Sequence, residues 1–457
     1  MLTSARRNRT FSEGTRLLAG AFQLDQSTSV CELGSLFSYQ GDKPLQRLKR
    51  QLASAYGVAW SFPSTHGTSG LNILGLLTAC PSGGRVLVNR DAHSSVTAAM
   101  VHGGFHPVYL PAVYDRELGV SLGPTRAAVH DLLAREPVDC VFITSPNYFG
   151  IVGELAAIVA LAHERGLPVV VDAAHAPHFH FSDALPTAAE DAGADFVAQS
   201  THKVATALSQ GSLLLLRNQA SVPRLYEHIN ELGLVSTSFS YPILASIELG
   251  VHQLVEQGDA VWRETIARAD AFRLSCRQLP GVTCFGREQD DKPGFAEIDR
   301  TRVTIDVSRT GLTGFEVERR LQARHIYPEL ATLQNVLFLF TPGTTERDIS
   351  TLYAELKTIV HTGTDVERIA VPTPPSIPHI AVLPRVAKFA AKSVVNANAA
   401  VGRVSGETIA TYPPGVPIVA AGEIISSDIV EYLQYMQSHG AVIKGASDPA
   451  LQTFRVL

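Results

Sequence analysis

The sequence predicts an α/β fold in which a mostly parallel sheet is flanked by helices, followed by a smaller α+β region toward the C-terminus. Two observations carry this. Between residues 60 and 216, short β-branched or aliphatic runs alternate with longer helical blocks, the pattern of strands buried on both faces and joined by crossover helices. Glycine, hydroxyl, Asp and Lys residues then recur just after several of those runs, where open α/β sheets gather ligands. Composition agrees: 45% hydrophobic and 18% charged residues exclude a disordered chain. A length of 457 residues accommodates two or three units of about 150 residues each.

The elements follow in order. Residues 42–53 place Leu45, Leu48 and Leu52 at helical spacing. A strand at Trp60 and Phe62 runs into the turn S-T-H-G-T-S-G (64–70), and a long apolar helix follows from about Leu71. Strands are predicted at 85–89, 106–110, 138–144, 167–172, 194–199 and 211–216, with helices at 93–101, 125–136 and 155–165 between them. A long amphipathic helix covers 244–279, and a smaller β/α block runs from 301 to 360. The proline-rich stretch 372–378 (PTPPSIP) reads as a linker. The organisation expected is an N-terminal arm (1–34), a large domain (35–245), a linking helix with a small α/β domain (246–370), and the linker with a C-terminal cap (371–457).

Several function classes fall away. Thirty-eight basic against 43 acidic residues leave a net charge of −5, so no basic footprint points to nucleic acid. The five cysteines (Cys31, Cys80, Cys140, Cys276 and Cys284) form no C-x-x-C, which argues against a zinc ribbon or a disulfide framework. The apolar run 17–22 is too short for a signal core, and 71–79 falls well below the roughly 20 residues needed to span a bilayer. A soluble cytoplasmic protein with no membrane partner is expected.

Three predicted strand ends carry chemistry. The turn 64–70 opens a helix, so free backbone N–H groups and the hydroxyls of Thr68 and Ser69 favour a phosphate there; an ordinary helix cap is the competing reading. Asp172 ends the strand L-P-V-V-V-D (167–172) and, as an acceptor-only group, suits a partner that must stay protonated; a turn Asp is the alternative. Lys203, in S-T-H-K (200–203), is one of only eight lysines. A crowded lysine can lose its proton and form a Schiff base with a carbonyl cofactor. Together, a phosphate cradle, an Asp for a pyridine nitrogen and such a lysine describe a pyridoxal 5′-phosphate site.

On these motifs the chain resembles the Orn/Lys/Arg decarboxylase family, whose enzymes have the type I aminotransferase-like fold with a seven-stranded-type sheet. Matching stretches are S-T-H-G-T-S-G (64–70), R-D-A-H-S-S (90–95), S-P-N-Y-F-G (145–150), V-D-A-A-H-A-P-H (171–178), Q-S-T-H-K (199–203), S-T-S-F-S-Y-P (236–242) and Y-P-P-G-V-P (412–417), the last leading to Gly422 and Glu423. The resemblance implies that Lys203 carries the cofactor, Asp172 pairs with its ring nitrogen and His93 stacks on its ring. It further implies phosphate contacts from Gly67, Thr68, Ser69, Ser200 and His202. Ser236 and Thr237 would reach the phosphate of the other subunit in a homodimer, and Glu423 would face the distal end of a basic substrate.

The activity implied is decarboxylation of lysine, ornithine or arginine to the amine and CO2, in polyamine metabolism. Residues 11–30 lack the P-G-H-x-x-G stretch of the family, Ala173 follows Asp172 where many members have an acid, and Ser94 follows His93 where a lysine is frequent. These departures leave a second reading open: aminotransfer, side-chain elimination or oxidation with the same cofactor on an arginine-like amino acid. A non-catalytic regulator is a third, opposed by the presence of both Lys203 and Asp172. Tyr148 is a candidate neighbour of the cofactor's phenolic oxygen, with a packed core tyrosine as the competing reading. His175, His178 and His180 form a short cluster, but no acid or Cys at ligand spacing accompanies it, so no metal is expected.

Overall fold

The computed structural model of the chain describes residues 34–231, 239–289, 291–361, 371–412 and 415–457. Nearly all of the expected arm (1–34), with Cys31, lies outside the described residues, as do Ser236, Thr237, Pro413 and Pro414.

The chain enters through helix α1 (Pro44–Ala55), whose Leu45, Leu48 and Leu52 are buried as the spacing requires. Seven strands build the main sheet: β1 (Trp60–Ser64), β2 (Arg85–Asn89), β3 (His106–Leu110), β4 (Cys140–Thr144), β5 (Val169–Asp172), β6 (Phe196–Gln199) and β7 (Ser212–Leu216). Their spatial order is β1-β7-β6-β5-β4-β2-β3. All neighbours are parallel except β7, which runs antiparallel to both β1 and β6. Val169, Val170 and Val171 are fully buried, as a continuous apolar run covered on both faces requires. Helix α2 (Gly67–Ala79) packs on this sheet. It approaches closely because Gly75 has no side chain: a Cβ there would stand 3.3 Å from Val170 Cγ1.

Helix α3 (Ser94–Gly103) follows β2, and α4 (Arg126–Arg135) and α5 (Leu155–Glu164) flank β4. The short turn of helix α6 (Thr201–Val204) follows β6, and α7 (Val222–Glu231) follows β7. The 36-residue helix α8 (Tyr241–Cys276) joins two cores. Leu244, Ile247, Val251 and Leu254 enter the core of the main sheet, whereas Ala269, Phe272 and Cys276 enter a second one. Each Leu, Ile, Val or Phe among them, fully buried, contributes roughly 1.5–3 kcal/mol, so the helix is fixed at both ends.

The second core lies under a four-stranded antiparallel sheet: β8 (Thr283–Cys284), β9 (Arg302–Asp306), β10 (Leu330–Ala331) and β11 (Asn335–Leu339), ordered β8-β9-β11-β10. A third core around Ile409, Val419, Ile429, Leu433 and Phe454 lies in the C-terminal region. A two-stranded ribbon, Val113–Asp115 with Val120–Leu122, was not anticipated by the sequence reading. Neither was the pairing of Ile151–Val152 with Glu297–Ile298, which ties the main sheet's loops to the second unit.

Because β1, β2, β4, β5 and β6 run parallel, their carboxyl ends share one edge. The antiparallel β7 begins at that same edge. A cavity of about 330 Å³ opens there.

Candidate active site

The turn after β1 becomes helix α2 four residues earlier than its composition suggests, starting at Gly67 rather than Leu71. Gly67, Thr68 and Ser69 therefore form the first turn of the helix and line the cavity, with their N–H groups at its positive end. Across from them Ser200 closes the end of β6, and its hydroxyl lies 2.6 Å from that of Thr68. His202 lines the same wall, its Nδ1 held by the Gly211 carbonyl at 2.8 Å.

Asp172 ends β5 and is 3% exposed. Its Oδ1 accepts from the Ala174 N–H at 3.0 Å and its Oδ2 from the Asn72 amide at 2.8 Å. The same Asn72 nitrogen donates to Ser95 Oγ at 3.0 Å, and that hydroxyl stands 2.9 Å from His93 Nδ1. His93 is also the N-cap of α3, its Nδ1 accepting from the Ser95 N–H at 3.1 Å. Capping thus fixes the ring that faces the cavity. Burial lowers the pKa of His93, Asp172 opposes the shift and Lys203 reinforces it.

Lys203 sits in α6 with its side chain open to the cavity. Its Nζ lies 3.1 Å from His175 Nε2. Burial among the cavity walls pushes the amine below the usual lysine range; Asp172 pulls it up, and Arg302 pushes it further down. Tyr148 packs its ring against His175, with centroids 4.8 Å apart, and lines the cavity. Burial raises its hydroxyl's pKa, and the negative charge of Glu329 adds to the rise.

The structure thus brings Gly67, Thr68, Ser69, His93, Asp172, Ser200, His202 and Lys203 around one cavity. It does not bring Glu423 there. Glu423 is 1% exposed, and its two oxygens accept from Arg90 Nη1 and Nη2 at 2.5 and 2.9 Å. A third hydrogen bond comes from the Ala420 N–H at 2.7 Å. In the single chain Glu423 does not line the cavity; it is one half of a buried ion pair with Arg90.

The three clustered histidines diverge. His175 turns to Lys203, His178 packs on Trp262 with ring centroids 4.2 Å apart, and His180 bonds Asp191 at 2.9 Å. Sequence reasoning missed Asn72, although a lone amide in an apolar helix was a signal. It also missed Arg302, a charge within the strand R-V-T-I-D (302–306).

The donor set fits a phosphorylated pyridine aldehyde: an amine, a buried carboxylate with lone pairs left over, an imidazole, and a hydroxyl-rich helix start. Residues 18–302 match the model of the Orn/Lys/Arg decarboxylase major domain, and residues 386–446 that of the family's C-terminal domain. The chain belongs to the Orn/Lys/Arg decarboxylase family. An arginine decarboxylase of Bacillus subtilis is 34% identical over 89% of this chain and 84% of its own length. The constitutive lysine decarboxylase of Escherichia coli is 26% identical over 90% of this chain and 70% of its own. The solved structure of that lysine decarboxylase covers 100% of this chain and 78% of its own, with a TM-score of 0.79 at 23% identity, and so supports the fold. As a member of the Orn/Lys/Arg decarboxylase family, the chain is an amino-acid decarboxylase, and its cofactor is pyridoxal 5′-phosphate.

Proposed function

We propose that the enzyme converts L-arginine to agmatine and CO2, with lysine as the second candidate substrate. The observation that carries the chemistry is the placement of Lys203 and Asp172 on adjacent strand ends of one cavity, with His93 beside them. The substrate choice rests on relatives: those named arginine decarboxylase are 34–35% identical to this chain, and those named lysine decarboxylase 24–26%.

In this reading Lys203 holds the cofactor's aldehyde carbon, Asp172 its ring nitrogen and His93 one ring face. Gly67, Thr68, Ser69, Ser200 and His202 hold its phosphate. Bound there, pyridoxal 5′-phosphate supplies a sink for the electrons released when the Cα–carboxylate bond breaks. Asp172 keeps the ring nitrogen protonated through charge and hydrogen bonding. Pro146, Phe149 and Val416 give the cavity apolar wall, which leaves a carboxylate poorly stabilised and favours its loss as CO2. Once the substrate's amine has displaced it, Lys203 Nζ is free to take part in the proton transfers at Cα. With Glu423 committed to Arg90, Asp91 lines the cavity and Glu329 acts electrostatically on Tyr148 in its wall; we assign the substrate's guanidinium to one of these two carboxylates.

We further read the enzyme as a cytoplasmic homodimer serving polyamine synthesis, with Ser236 and Thr237 reaching the partner's cofactor phosphate. The family resemblance supports the dimer. No helix among the described residues is long and apolar enough to cross a membrane. Light scattering of the purified protein tests the dimer. Incubation with arginine, lysine and ornithine, followed by mass spectrometry of all products, tests the reaction. Agmatine and CO2 are expected; cadaverine formed faster than agmatine would favour lysine, and a keto acid or ammonia would replace the proposal with the second reading.

A further inference from the structure

Arg302 and His175 form a hydrogen-bonded line that ends on Lys203. Arg302 opens β9 and is 2% exposed. Its Nη1 donates to the Tyr148 carbonyl at 2.8 Å, and Asp299 stands 3.5 Å from its Nε. Gly150, at φ +85°, makes room for it, since a Cβ there would meet Arg302 Cδ at 2.8 Å. So placed, Arg302 Nη2 lies 2.7 Å from His175 Nδ1, while His175 Nε2 lies 3.1 Å from Lys203 Nζ.

The donors in this line fix where the protons are. A guanidinium stays protonated and has no acceptor, so the facing Nδ1 presents its lone pair. A neutral imidazole with a bare Nδ1 carries its proton on Nε2. That proton points at Lys203 Nζ, which can accept it only as a neutral amine, because an ammonium has three donors and no lone pair. The opposite assignment fails. With an ammonium at Lys203, Nε2 would have to accept, the proton would move to Nδ1, and two donors would face each other at 2.7 Å.

We propose that Arg302, acting through His175, holds Lys203 as the neutral amine that attacks the cofactor's aldehyde. Its lone pair forms the C–N bond. The carbonyl oxygen leaves with the two amine hydrogens as water, and no oxidant or reductant is needed. His175 and Arg302 are positioning residues in this scheme.

The charged surroundings agree with the geometry. Burial is the strongest influence on Lys203 and lowers its pKa; Arg302 adds to this, against Asp172 and Glu329. For His175, burial comes first and lowers its pKa well below the usual value, reinforced by Arg302, Lys203, His93 and His178. Nothing in that set favours an imidazolium.

The proposal rests on Lys203 being the lysine that takes the cofactor, and its test is separable from that assignment. The apoprotein is labelled with acetic anhydride from about pH 6 to about pH 11, and the Lys203 peptide is quantified by mass spectrometry against exposed Lys357. The labelling midpoint of Lys203 is expected below that of exposed Lys357. His175→Phe keeps an aromatic ring without nitrogens; it should raise the midpoint by about one unit, so that labelling near pH 8 falls about tenfold. His175→Gln, with an oxygen for Arg302 and an NH2 for Lys203, should retain the low midpoint. An ordinary midpoint in the unmodified apoprotein overturns the proposal without recourse to any variant, and so does an unshifted midpoint in folded His175→Phe. Borohydride reduction of the holoprotein checks the underlying assignment separately: label on another lysine would sink that reading and leave the measured amine state of Lys203 standing.

Discussion

Asn72 and Asp172 meet at 2.8 Å, amide to carboxylate, although 100 residues separate them in sequence. Asn72 is 1% exposed and lies in an otherwise apolar stretch of α2. One amide hydrogen orients Asp172 and the other reaches Ser95, whose hydroxyl leads to His93. The two residues proposed to hold the cofactor ring thus share a single supporting side chain. Asn72→Ala is expected to weaken cofactor binding and lower kcat/KM by about 10- to 100-fold. Stability should fall by only about 1–3 kcal/mol, from the partners left unsatisfied. Cofactor titration and steady-state CO2 release measure the two effects; unchanged cofactor affinity would reduce Asn72 to a packing residue.

Lys203 and Asp172 make separable predictions. Borohydride-treated holoenzyme should carry the cofactor label on Lys203 and on none of the other seven lysines. Lys203→Ala should fold but lose turnover. Asp172→Ala should keep some cofactor, because the other contacts remain, yet lose most activity as the ring nitrogen loses its charge partner. Near-normal turnover in Asp172→Ala would leave Asp172 a turn residue.

Much of this site was legible because its parts are local. Strands 85–89 and 106–110 occupy the bounds that their apolar runs suggest, and parallel pairing gathers their ends at one edge. The start of α2 is not legible because Gly, Thr and Ser have low helix propensity, yet Thr68 is tied to Ser200, just past the end of β6. The reversed direction of β7 was not legible either, since a period of two carries no polarity along the chain. Arg302 and Glu423 failed for a common reason. Each is decided by a partner far away in sequence, His175 or Arg90, and a single chain without its fold does not specify those meetings.

His178 predicts a pH effect. It is fully buried, neither ring nitrogen has a hydrogen-bond partner among the described residues, and Asp299 stands 3.7 Å from Nε2. Burial lowers its pKa to about 4, with Asp299 opposing. An unfolded histidine titrates near 6.5, so the unfolded chain binds the proton more readily. The contribution of His178 to stability is therefore complete above about pH 6.5 and is lost as the pH falls toward about 4. His178→Phe keeps the stacking on Trp262 and removes the titration. The difference between the two thermal-midpoint profiles should open across that window and vanish above it; parallel profiles would place the acid sensitivity elsewhere.

Arg90 and Glu423 supply the last test. The pair joins the end of β2 to the C-terminal region, with side chains 7% and 2% exposed. Arg90 also donates to the carbonyls of Pro417 and Ile418, at 3.2 and 3.3 Å, and its guanidinium carbon lies 4.7 Å from the Tyr109 ring centre. Burial alone would lower the guanidinium's pKa, but Glu423's charge and hydrogen bonds outweigh it and the net direction is upward. Removing one member leaves a buried charge unpaired, which costs about 3–5 kcal/mol, whereas replacing both with apolar groups is often neutral. Glu423→Gln should therefore lower the thermal midpoint markedly while KM for the basic substrate stays within about twofold. Arg90→Met combined with Glu423→Leu should recover most of the lost stability. The strand from Pro417 follows Gly415 and Val416, which line the cavity, so the single variant should also loosen that wall and lower kcat more than it alters KM. The opposite pattern, a raised KM at an unchanged midpoint, would return Glu423 to the substrate and free Arg90 for another partner.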